Sequence, residues 1–120
     1  MLSSRDLKAT RFFQDFRVGD VYEHGGLVVT RQKNRLYISL LEDRNPLFAN
    51  PALTRQLGYG EEALVHPLLV FHTIFGLSVQ DISFNAVANL EYAALRFLKE
   101  VREGDLLLAA SRVIGKKRTS

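Results

Sequence analysis

The densest apolar stretch runs from Ala63 to Val79, where ten residues are Leu, Val, Ile or Phe. They fall on nearly every face, so the pattern predicts a buried helix rather than an amphipathic one. Pro67 fits only a first turn, which sets the helix start near Val65 or His66. Gly76 either weakens the interior or admits a close neighbour. The segment is too short for a membrane span and carries His66, Pro67 and His72. Upstream, Thr30 can cap a helix from about Arg31 to Leu41, with Leu36, Ile38, Leu40 and Leu41 as its apolar residues. Asp43-Arg44-Asn45-Pro46 breaks it. Asn50-Pro51 is a cap-and-start pair with Gly58 as the matching stop, so Pro51–Leu57 reads as a two-turn helix.

Period-two patterning flanks these helices. Val21–His24 and Leu27–Thr30 read as two strand pieces or a bulged hairpin around Gly25-Gly26, after an aromatic cluster of Phe12, Phe13 and Phe16. Asn89–Val101, with alternating Leu95 and Phe97, and Leu106–Ile114 read as a second hairpin. Its turn is Arg102-Glu103-Gly104-Asp105, with Gly104 at positive φ. A greasy helix needs cover on all sides, and an antiparallel sheet wrapped around it provides that. The fold class is therefore α+β, with residues 1–11 as a lead-in and 12–120 as one domain.

Composition narrows the chemistry. In 120 residues, 47% are apolar and 24% charged, which is ordinary globular material. The absence of Cys excludes disulfides and thiolate metal sites, and no metal or cofactor is expected. Met1–Asp6 has no apolar run behind it, so no signal peptide is expected and a cytoplasmic location is. The net charge of +3 is local: Arg112, Lys116, Lys117 and Arg118 crowd the last nine residues without an acid. Such a tail can meet phosphates, but no zinc finger, RNP-type motif or basic helix supports nucleic-acid binding. A solvated strand end is the plainer reading of that tail.

The order of elements and three motifs resemble the hotdog fold of the MaoC-like acyl-CoA dehydratase and hydratase family. The residues are Phe13-Gln14-Asp15-Phe16-Arg17-Val18-Gly19-Asp20, Asp43-Arg44-Asn45-Pro46-Leu47 and Leu64-Val65-His66. More specific to a two-hotdog branch of that family are Leu68–Gly76, Asp81–Leu90 and Arg96-Phe97-Leu98, continued by Gly104-Asp105 and Val113-Ile114-Gly115. The resemblance implies a hydro-lyase acting on 2-enoyl-CoA or 3-hydroxyacyl-CoA thioesters. It implies an Asp and a His in a D-x-N-P-x-H motif that activate water, and a backbone N–H at the helix start, usually of a Gly after His, that binds the thioester oxygen. Asp43 and Asn45 match the motif's Asp and Asn; the candidate catalytic residues are Asp43 and, as a substitute for the motif His, His66, with Asn45 and His72 as candidates for substrate binding.

The chain departs from that pattern twice. Phe48 stands where the motif His should be, and Pro67 stands where the Gly N–H should be. Phenylalanine moves no proton, and proline has no N–H. His66 and His72 lie six residues apart, about 600° of helical rotation, so they share no face. Asp43 also has a plain reading as a loop residue capping backbone N–H groups, and the two histidines as local packing residues. The resemblance therefore implies the non-catalytic N-terminal portion of a two-hotdog hydratase, or else a non-catalytic acyl-CoA-binding or dimerisation module. A hotdog sheet needs two more strands after Leu106–Ile114, so a second hotdog half or a homodimer partner is expected.

Overall fold

The structure is a computed structural model and describes residues 11–58 and 63–118. The expected lead-in over residues 1–11 lies outside them except for Arg11. After a 3₁₀ turn at Phe13–Asp15 come β1 (Val21–Val28), the helix Arg31–Leu41, short helices Pro46–Ala49 and Pro51–Gln56, the central helix Pro67–Ser78, a wider π-type turn Val79–Ser83 and β2 (Leu106–Arg112). β1 and β2 pair antiparallel, and both pack on the central helix. An antiparallel sheet laid along a long apolar helix is the hotdog arrangement the sequence predicts.

Local chemistry sets the helix boundaries. Thr30 Oγ1 accepts from the Lys33 N–H at 3.2 Å, capping Arg31–Leu41 as expected. Asn50 Oδ1 accepts from Leu53 N–H, and Gly58 stops the following helix at φ 85°. Asn45 Oδ1 accepts from Leu47 N–H, which starts the extra turn Pro46–Ala49 where the sequence predicts only a break. The central helix begins at Pro67, with His66 as its N-cap.

Three expectations about strands are corrected. Val21–Val28 is one strand, neither two pieces nor a hairpin; its register slips between Glu23 and Gly26, which makes His24 and Gly25 a bulge opposite Ala109. Thr30 belongs to the helix cap rather than to a strand. The turn at Arg102–Asp105 exists, with Gly104 at φ 95°, yet β2 does not return along Asn89–Val101. Instead β2 takes β1, and residues 89–98 run without strand pairing. Val101 meets the helix lead instead: Val65 N–H donates to Val101 O at 2.8 Å, beside a bridge of Leu64 with Arg102.

The core is small. Val29, Ile38, Ala63, Leu64, Val65 and Ala109 are its buried apolar residues among those described. Besides the sheet, the central helix meets Tyr37 at His72 and Tyr92 at Phe71 and Phe75, while Leu68 stays 42% exposed. Open space lies over Gly76, so no close neighbour explains that glycine.

Candidate functional site

The start of the central helix is held by the helix Arg31–Leu41. Asn34 is 1% exposed and brackets the approach, donating from Nδ2 to Leu64 O and accepting the His66 N–H on Oδ1, both at 3.0 Å. This clamp fixes where His66 emerges. The imidazole then turns back over its own helix, and Leu68 N–H donates to Nδ1 at 3.1 Å. A ring nitrogen that accepts carries no proton, so the proton sits on Nε2 and is donated to Asp43 Oδ2 at 2.6 Å.

Asp43 comes from the loop after the Arg31–Leu41 helix. Its other oxygen accepts the Asn45 N–H at 2.9 Å. That backbone bond, and then the bond from His66, hold the Asp43 carboxyl below its ordinary range. The structure thus brings Asp43, Asn45 and His66 together. Asn45 spends its side chain on capping Leu47. His72 sits farther along the helix, its Nδ1 hydrogen-bonded with the Tyr37 hydroxyl at 3.0 Å. Tyr37 also packs its ring 5.6 Å from that of His66, while burial raises its hydroxyl pKa. Asn34 and Tyr37 escape the sequence reading. Their signal is the spacing from Asn34, with Tyr37 three and Ile38 four residues farther along one helix.

Phe48 lies against this pair, its ring centroid 5.0 Å from that of His66. It helps line a cavity of about 190 Å³ with Leu64, Val65, Pro67, Val70 and Phe97, which Lys99 and Glu100 edge. The floor suits an apolar chain. The donors that an oxyanion needs are spent: Pro67 has none, Leu68 N–H goes to His66 Nδ1, and Leu69 and Val70 N–H go to His66 O.

A second buried network ties the far end of the central helix to the sheet. The side chain of His24 is fully buried, donates from Nδ1 to Asp81 at 2.8 Å and accepts on Nε2 from Ser111 O–H at 2.7 Å. Asp81 also takes Arg11. His24 leaves β1 at the bulge, Ser111 belongs to β2 and Asp81 to the π-type turn, so three elements meet on one imidazole. Among the described residues no cluster of His, Asp and Glu has the makings of a metal site.

An apolar helix backed by an antiparallel sheet, with an acid-histidine pair at the helix start, defines a hotdog-fold domain. The chain belongs to the MaoC-like domain family, whose profile matches residues 14–120. It is 43% identical over 113 residues to mesaconyl-CoA hydratase of Cereibacter sphaeroides, covering 93% of this chain and 33% of that protein. It is 44% identical over 105 residues to beta-methylmalyl-CoA dehydratase of Chloroflexus aurantiacus, covering 87% of this chain and 30% of the other. The crystal structure of a MaoC domain protein dehydratase from Chloroflexus aurantiacus superposes with a TM-score of 0.80 at 43% identity, over 88% of this chain and 30% of that one. The chain therefore spans about a third of the length of the curated relatives it matches.

Proposed function

We propose that this chain is the N-terminal, acyl-CoA-binding hotdog portion of a mesaconyl-CoA hydratase-like hydro-lyase, and that it does not turn over substrate by itself. One observation carries the second clause. Every donor at the start of the central helix is absent or engaged, and both nitrogens of His66 are committed. A missing oxyanion donor costs about 10²–10³ in rate even where a base is present. Here Asp43 and His66 act on each other: His66 caps the helix, and Asp43 fixes its ring. The apolar cavity behind Phe48 remains suited to the acyl chain.

Catalysis then requires a second hotdog half, and the chain pairs with such a half or with a second copy of itself. A cytoplasmic site of action fits substrates of this class. No described helix is long and apolar enough to cross a membrane.

The test is a pair of measurements on the chain with mesaconyl-CoA and crotonyl-CoA. Calorimetry should show saturable binding, and the hydration assay should show no turnover. Installing the missing groups with Phe48→His and Pro67→Gly together should bring hydration above background. Turnover by the unaltered chain would refute the non-catalytic reading. Dimerisation without acyl-CoA binding would favour a pure dimerisation module instead.

A further inference from the structure

A larger concavity, about 790 Å³, opens between the sheet end and the helices Arg31–Leu41 and Pro51–Gln56. Three guanidinium groups line it: Arg31 and Arg35 from one helix and Arg55 from the other. The ion pairs among the described residues use Arg11 and Arg102 as their arginines, not these three. Arg31 and Lys33 stand in the first turn of their helix, which holds no acid. The helix dipole disfavours cations there and favours an anion. Three guanidiniums with no ion pair among the described residues, facing one space that holds a single acid, call for further negative charge.

The concavity also holds one acid. Glu103 follows the strand-like segment at Val101, and its Oε2 is buried with no hydrogen-bond partner. Burial raises its pKa, against the opposing pull of Arg35 and Arg31. An orphaned acceptor beside three cations rejects a bare phosphate in part, since the carboxylate repels it. It suits a ligand with an anionic end for the arginines and an N–H or O–H for the carboxylate.

We propose that this concavity binds a phosphorylated nucleoside, its phosphates on Arg31, Arg35 and Arg55 and a base amino or ribose hydroxyl group on Glu103. The volume lies within the range of nucleotide-sized pockets, about 300–1,000 Å³. Identifying the ligand with the nucleotide end of an acyl-CoA rests on the function proposed above. The pairing of phosphate and donor does not.

Calorimetry on the full chain with ADP, pyrophosphate and adenosine tests it. ADP should bind saturably and more tightly than pyrophosphate, and adenosine should not bind measurably. Arg35→Ala and Arg55→Ala should each weaken ADP by about tenfold. Lys117→Ala, in the separate basic tail, should leave it unchanged. Glu103→Gln should weaken ADP severalfold while leaving pyrophosphate equal or tighter. The site is refuted if ADP does not saturate, if its affinity follows Lys117 rather than Arg35 and Arg55, or if Glu103→Gln tightens both ligands alike. A titration with crotonyl-CoA separates the two proposals. Acyl-CoA binding that ignores Arg35→Ala and Arg55→Ala overturns the identification of this ligand with the nucleotide end of an acyl-CoA and leaves the acyl reading standing. ADP binding without acyl-CoA binding sinks the acyl reading alone.

Discussion

At the residue scale, the contact of Asp43 with His66 is read most directly by pH. Asp43 has a folded pKa below its unfolded one, so its contribution to stability is present above the ordinary carboxylate value of about 3.9 and is lost as pH falls through the lower folded value. Asp43→Asn should therefore lower the urea midpoint at neutral pH, and the gap from wild type should close in acid. A gap that persisted at the lowest accessible pH would mean that the pair contributes by packing instead. Asn34 is the more costly residue to lose. Asn34→Ala leaves Leu64 O and His66 N–H buried without partners, a penalty of about 2–4 kcal/mol. Asn34→Asp keeps an acceptor for His66 but sets oxygen against Leu64 O, and should cost nearly as much in the same denaturation series. Legibility at this scale was uneven. Asp43, Asn45 and His66 could be picked out by motif, but their mutual bonds could not, because 23 positions separate Asp43 from His66 and only the fold closes that gap. Asn34 gave a weaker sign, as a polar residue on the face that carries Ile38.

Elements set by local chemistry were readable, and elements set by partners were not. The helix caps at Thr30, Asn50 and His66 are short-range bonds, and the sequence located two of them as caps and the third to within a residue. Strand partnership is a long-range choice. The alternation around Leu95 and Phe97 promised a strand, but alternation does not say which neighbour a strand takes, and β2 took β1. The pairing admits only a glycine beside the bulge, at Gly26 opposite Leu108. A Cβ on Gly26 would lie 2.6 Å from Leu108 Cδ2 and 2.9 Å from Leu107 O. The side chain can turn aside, but the backbone oxygen cannot without disturbing the ladder. Gly26→Ala should therefore cost about 1–3 kcal/mol, seen as a lower thermal or urea midpoint. His24 leaves the same bulge to reach Asp81 and Ser111, so distortion there also loosens the far end of the central helix.

At the scale of the whole molecule, the apolar surface exceeds what two strands can cover. Val87, Leu90 and Leu98 stand 102%, 87% and 92% exposed, and they lie along the segment that has no strand partner. On the central helix Leu68 is 42% exposed. Scattered exposed leucines are unremarkable on any protein, but a row of them beside an unpaired backbone is a template for association. Fully covering one such side chain is worth roughly 1.5–3 kcal/mol, so covering several favours association. Light scattering of the chain should accordingly give a mass above that of a monomer at micromolar concentration, falling on dilution. Leu90→Lys with Leu98→Lys should shift that equilibrium toward the monomer, since each change puts an unpaired charge where the partner would sit. The sites at Asp43–His66 and at Arg35 and Arg55 include neither residue, so ADP binding should survive the same pair of substitutions. A monomer before substitution, at every concentration tested, would mean that the segment folds back on its own chain and that no partner is needed.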